Sequence, residues 1–142
     1  MYCYKAYELI INSEFPLPEL IPHPEVPGDV TIRYGPVPTD LDPIEGRGVL
    51  YQANAGQFLL KLENVAHYLV QNGQEIIVSP LGSLSDIRVF LLGSVMAALL
   101  HQRAILVLHA AALQTAKGAV LFCGVSGCGK STLLNEFLRR GY

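Results

Sequence analysis

Hydrophobic and polar residues alternate over the first half of the chain and then give way to a helical pattern. Cys3, Tyr7, Leu9 and Ile11 fall on one side of an extended run, with Lys5 out of pattern, which predicts one opening strand. Val30, Ile32 and Tyr34 alternate with Thr31 and Arg33, the signature of a half-buried strand. Val49–Tyr51 and Phe58–Leu62 predict two more. Val65–Gln71 and Gln74–Ser79 flank Asn72-Gly73, the strongest short hairpin signal. Eight of the nine prolines precede residue 44, so residues 16–28 and 35–46 are expected to be loops. Together these predict a small antiparallel β-rich module over residues 1–82.

Leu81-Gly82 reads as a boundary. Ser83 and Asp86 fit a capping box, and a helix is predicted from about Asp86 to Arg103. Its residues are apolar nearly all round, which predicts burial on most faces. Gly93, Ser94, Ala97 and Ala98 leave room for a close neighbour. The most apolar part, Val89–Leu100, has 12 residues, too few to span a bilayer. Ala104–Leu108 is β-compatible, and with Ala110–Thr115, a turn at Lys117-Gly118 and Ala119–Cys123 it predicts a hairpin. Ser131–Arg140 predicts a further helix.

Between the last strand and the last helix stands Gly124-Val125-Ser126-Gly127-Cys128-Gly129-Lys130-Ser131, which fits the phosphate-loop pattern G-x-x-x-x-G-K-[ST] at every fixed position. Its strand–loop–helix setting is the one the chemistry needs. Gly124, Gly127 and Gly129 permit backbone shapes that a side chain forbids, so N–H groups can curl around phosphate oxygens. The positive end of the following helix adds to that field. Lys130 would reach the β- and γ-phosphates, and the Ser131 hydroxyl would ligate Mg²⁺. Val125, Ser126, Cys128 and Thr132 complete the predicted nucleotide-binding set.

Composition adds little to this reading. Of 142 residues, 51% are hydrophobic and 15% charged, an ordinary soluble balance large enough for one core. The net charge of −2 points to neither nucleic acid nor an anionic membrane as partner. Charge is uneven, however. Residues 1–100 carry 5 basic and 11 acidic groups, residues 101–142 carry 5 and 1, so the basic end holds the anion loop. The three cysteines, Cys3, Cys123 and Cys128, match no metal or redox spacing; two flank the loop, which suggests reduced thiols in a cytoplasm. His23 and His67 have no companions at ligand spacing. If the hairpin pairs tightly, His109 stands near the end of the strand that enters Gly124, and it is the one histidine with a candidate role.

Residues 86–142 resemble the C-terminal catalytic domain of bacterial HPr serine kinase/phosphorylase, and more closely its stand-alone relatives, including kinase-like proteins found with lasso-peptide biosynthesis. The features carrying the resemblance are the apolar helix DIRVFLLGSVMAALLHQR, a strand ending in His109, the loop GVSGCGKS fifteen residues after it, and a helix ending Arg140-Gly141-Tyr142. The opening YKAYELIINSEFPLPEL is similar to the start of the stand-alone relatives, less specifically. Ala110 and Thr132 stand where the authentic HPr enzymes usually have Gly and Glu, which favours the stand-alone group. The resemblance implies an α/β P-loop kinase domain similar in fold to phosphoenolpyruvate carboxykinase, here spanning 83–142. It implies ATP with Mg²⁺ as cosubstrate, a peptide or small-protein serine as acceptor, more than one subunit, and His109 as an active-site group that orients or handles a proton.

The Asp pair of that family is expected just beyond Arg140-Gly141, and no residue here corresponds to it. The chain is therefore expected to be the N-terminal portion of a kinase, inactive alone, with an open sheet edge and an unpaired apolar face. Two alternatives remain at this point. One is a nucleotide-binding regulatory or assembly module without transfer activity; the other is a P-loop NTPase that hydrolyses ATP.

Overall fold

A computed structural model describes residues 1–142, which divide into two compact units, Met1–Ile105 and Leu106–Tyr142. The chain is mixed α/β, with one large sheet and few helices. In the first unit the strands are β1 (Tyr2–Ala6), β2 (Leu9–Ser13), β3 (Ile21–Pro22), β4 (Val30–Tyr34), β5 (Gly46–Arg47), β6 (Tyr51–Ala53), β7 (Gln57–Leu62), β8 (Ala66–Gln71) and β9 (Glu75–Pro80). They form a single sheet in the order β3-β1-β2-β4-β9-β8-β7-β6-β5.

The single opening strand expected from the alternation is instead a hairpin. Tyr7 and Glu8 take positive φ, 55° and 61°, and fold β1 back on β2 with Ala6 opposite Leu9. Two left-handed residues make the mirror-image turn that suits strand twist. Neither residue is Gly, Asn or Asp, so nothing in the sequence marks the reversal. At Asn72-Gly73 the φ values are 52° and 64°, and the expected hairpin joins β8 to β9 in register from Gln71↔Glu75 to Ala66↔Pro80.

The sheet is mixed, not antiparallel throughout: β4 lies parallel to both β2 and β9. The long proline-containing connections carry the chain across between these parallel neighbours, as parallel pairing requires. Leu69 and Val70 in β8, and Ile76, Ile77 and Val78 in β9, are buried in succession because both faces of the sheet are covered there. One face packs against Leu41 and Val37 of the preceding loop, and the other against a helix.

That helix, α1 (Leu84–Gln102), starts two residues before the expected Asp86, ends one before the expected Arg103, and belongs to the first unit. The expected division after residue 82 therefore gives way to one after Ile105. The physical reason is burial: Ile87, Leu91, Val95, Met96, Leu99 and Leu100 share a core with Ile11, Ile32, Tyr68, Val70, Ile76 and Val78. Each such side chain contributes about 1.5–3 kcal/mol when fully buried. At 19 residues α1 has the length and hydropathy of a membrane span, but this packing is that of a core helix. Ile87, Leu91, Val95 and Leu99 recur every fourth residue, which overshoots the 3.6-residue turn. A wider π turn at Leu91–Val95 takes up part of that drift and keeps the row on the sheet.

Polar contacts fix both ends of α1. Ser83 Oγ accepts from the Asp86 N–H at 3.2 Å and donates to the Asp86 carboxylate at 2.6 Å. Arg88 pairs with Glu19 at 2.8 Å and holds that carboxyl below its usual range. Its contribution is thus present above the ordinary carboxylate pKa and is lost as pH falls through the depressed one. Tyr68 donates to the Ile87 carbonyl at 3.0 Å, and burial pushes its hydroxyl up to about 12. At the far end, Gln102 Oε1 accepts from the Gly73 N–H at 2.7 Å and Arg103 Nη1 donates to the Gly73 carbonyl at 2.8 Å.

The second unit contains β10 (Ala110–Thr115), β11 (Gly118–Cys123) and α2 (Lys130–Arg139). The strands pair from Ala110↔Cys123 to Thr115↔Gly118. Residues 104–108, expected to be β-compatible, are not a strand; Leu106 is 82% exposed. Leu113 is buried, while Val120, Leu121, Leu133 and Leu138 remain exposed.

After α1 the chain closes with a Schellman turn: the Ala104 N–H donates to the His101 carbonyl and the Ile105 N–H to that of Leu100. Ala104 sits at φ 58°, where a Cβ is penalised. Ala104→Gly is expected to raise stability by about 1 kcal/mol in urea unfolding. An unchanged or lower midpoint would mean that the left-handed residue carries no strain.

Candidate functional site: the glycine loop

The predicted residues Gly124, Val125, Ser126, Gly127, Cys128 and Gly129 form the connection from β11 to α2, and Lys130, Ser131 and Thr132 form the first turn of α2. Gly127 and Gly129 take φ 81° and 89°, conformations that L side chains rarely adopt. Gly124 is constrained differently. A Cβ there would lie 2.7 Å from Cys128 Sγ, so a side chain at this position requires that exposed thiol to turn away.

Hydrogen-bond donors accumulate on this loop. Between Val125 and Thr132 one N–H is bonded within the chain, that of Cys128, which donates to the Val125 carbonyl at 3.3 Å. The first helical donor is the Leu133 N–H, to the Gly129 carbonyl at 2.9 Å. The N–H groups of Lys130, Ser131 and Thr132 are thus the free donors of a helix start. Lys130 folds back over them, donating to the carbonyls of Gly124 at 2.9 Å and Val125 at 3.0 Å. Free N–H groups, a helix N-terminus and an ammonium within one short segment can hold an anion with several acceptor oxygens.

Continuing the register Ala110↔Cys123 by one step puts His109 at the same end of the hairpin as Gly124. It is exposed. The one acidic residue among 101–142, Glu136, accepts from Arg140 Nε at 2.8 Å. An open groove of about 670 Å³ reaches the loop along α2, lined by Gly129, Thr132, Leu133, Asn135, Glu136 and Arg139. No three His, Cys, Asp or Glu side chains gather where they could hold a metal. The Ser131 hydroxyl, the predicted Mg²⁺ ligand, stands in the first turn of α2, and one hydroxyl fits only a cation held mainly by phosphate and water. It does not fit a cage built from protein ligands.

Cys123 and Cys128 are both exposed free thiols. The packing of Cys128 on Gly124 was not foreseen from the sequence, because x positions of the loop pattern carry no residue preference. No protein family, curated protein or solved structure matches the chain.

The Gly124–Cys128 contact is testable by a double-mutant cycle. Gly124→Ala is expected to destabilise by about 0.5–1.5 kcal/mol, as Cys128 Sγ is pushed from its present rotamer. Adding Cys128→Ala removes Sγ and leaves Cβ at 3.9 Å, an ordinary contact, so most of the loss should return. Simple additivity of the two changes in thermal unfolding would refute the contact.

Proposed function

We propose that the chain binds the triphosphate of Mg·ATP at Gly124–Thr132 as part of an ATP-dependent serine kinase of the HPr-kinase-like group. The observation that carries this reading is the loop itself. Its unpaired N–H groups, two left-handed glycines and Lys130 all lie within Val125–Thr132, at the start of α2. The P-loop domain and its phosphoenolpyruvate-carboxykinase-like fold are part of the same proposal, as are a cytoplasmic setting and association of more than one subunit.

In this reading Lys130 exchanges its two carbonyl partners for β- and γ-phosphate oxygens, at little cost because both arrangements satisfy the ammonium. Ser131 contributes its hydroxyl to the Mg²⁺, which neutralises charge on the phosphates. Transfer forms a bond from the seryl oxygen to the γ-phosphorus and breaks the β–γ bridge, releasing ADP. The seryl proton needs an acceptor. His109 can orient the group or handle that proton, whereas Glu136 is already engaged with Arg140. The sequence assigns no carboxylate base. A second reading rests on the same loop and asks for no proton acceptor: a nucleotide-binding regulatory module without transfer.

Titration with Mg·ATP tests the binding step. Lys130→Ala is expected to weaken affinity at least about tenfold, since a charge-assisted contact is lost. His109→Ala should leave it within about twofold. Full affinity in Lys130→Ala would remove the phosphate-loop reading. With γ-labelled ATP and a seryl peptide, label in the peptide supports a kinase, and label released without acceptor supports a hydrolase. Retained binding with neither product is expected of this chain alone under both the kinase and the regulatory readings, so the labelled assay decides only where a product forms.

A further inference from the structure

The two arms of the glycine loop are joined by a stack of three aromatic rings. Phe122, two residues before Gly124, lies on Phe137 of α2 with ring centroids 5.5 Å apart and planes at 20°. Tyr142 meets the same Phe137 edge-on, at 5.5 Å and 79°. Both geometries are attractive for aromatic pairs.

The end of α2 explains how Tyr142 reaches back. Gly141 takes φ 84°, its N–H donates to the Leu138 carbonyl at 3.1 Å, and the Tyr142 N–H donates to the Phe137 carbonyl at 3.2 Å. This is a Schellman turn, whose geometry brings the second residue past the cap against the helix residue that accepts its N–H. Here those residues are Tyr142 and Phe137. The loop's ends are β11 and α2, so their mutual placement fixes the span that Gly124–Gly129 must bridge. No other aromatic pair joins β11 to α2.

We propose that the Phe122–Phe137–Tyr142 stack is a clamp that holds β11 and α2 at the separation in which the glycine loop is competent to bind phosphate, with Phe137 as the positioning residue. The proposal rests on the phosphate-loop reading for its ligand, but the clamp itself is a property of the free protein. None of the three rings belongs to the loop. The effect of removing one is therefore on the fraction of molecules whose loop is competent. Apparent dissociation constants rise in inverse proportion to that fraction.

The test uses the 142-residue chain, Mg·ATP as probe, and hydrogen exchange of the loop amides without ligand. Phe137→Leu keeps an apolar side chain on α2 but removes both ring contacts. It is expected to raise the Kd for Mg·ATP about tenfold and to speed exchange of the Val125–Ser131 amides, with helix content retained. Tyr142→Ala should show a smaller change in the same direction, and Tyr142→Phe should match wild type, because the ring and not the hydroxyl makes the contact. If Phe137→Leu fails to fold, the Tyr142 pair carries the test alone. Wild-type loop exchange in both Phe137→Leu and Tyr142→Ala overturns the clamp. Failure of the wild-type chain to bind Mg·ATP overturns the phosphate-loop reading instead, while loop exchange still decides the clamp.

Discussion

The seam between α1 and the nine-stranded sheet is the interaction on which the first unit depends. Strands β2, β4, β8 and β9 present Ile11, Ile32, Tyr68, Val70, Ile76 and Val78 to one side, and α1 is the helix that covers them. Losing that cover would expose the central apolar surface to water and remove the largest favourable term in folding. Secondary contacts then follow from where the helix lies. Its first turn engages Glu19, and its last residues grip Gly73 from both the N–H and the carbonyl side. The hairpin most clearly written into the sequence is therefore also the one that the helix end secures.

What could be read from the sequence divides along the line between local and non-local physics. Asn72-Gly73 encodes its own turn, and Ser83 with Asp86 encodes its own cap, so both appear where expected. Tyr7-Glu8 reverses the chain because β1 and β2 pair well, not because its residues favour positive φ. The parallel pairing of β4 with β2 and β9 depends on segments tens of residues apart, and no short pattern carries it. The unit boundary was misplaced for the same reason. Leu81-Gly82 does break the chain locally, but burial of Ile87, Leu91 and Leu99 binds the next helix to the preceding sheet.

Both helices end in the same motif and so allow a direct comparison of cost. After α1 the left-handed position is Ala104; after α2 it is Gly141. The donor–acceptor pattern is the same in each. A penalised alanine at the first site persists because the large core behind it determines where the chain must turn. The second site has little burial to impose such a conformation, since Leu113 is the buried hydrophobic side chain of its unit. There the turn relies on glycine, and the ring contact of Tyr142 on Phe137 follows from it.

The glycine loop is a local object, and its position between a strand and a helix was legible in the sequence where the sheet order was not. Nine consecutive residues, Gly124–Thr132, supply the donors, the glycine conformations and the ammonium, so the pattern and the geometry coincide. Gly124 shows the limit of that correspondence: its small size answers to Cys128 Sγ, a contact between two pattern positions that the pattern does not encode. The proton acceptor is a different kind of requirement. In the proposed reaction it would have to come from another element; His109 is the candidate because the strand register puts it at the Gly124 end of the hairpin, and register is non-local. In the proposed function, anion binding and phosphoryl transfer therefore make separable demands. The first can be met by one strand, one loop and one helix held at a fixed separation, while the second needs a group that the loop cannot supply.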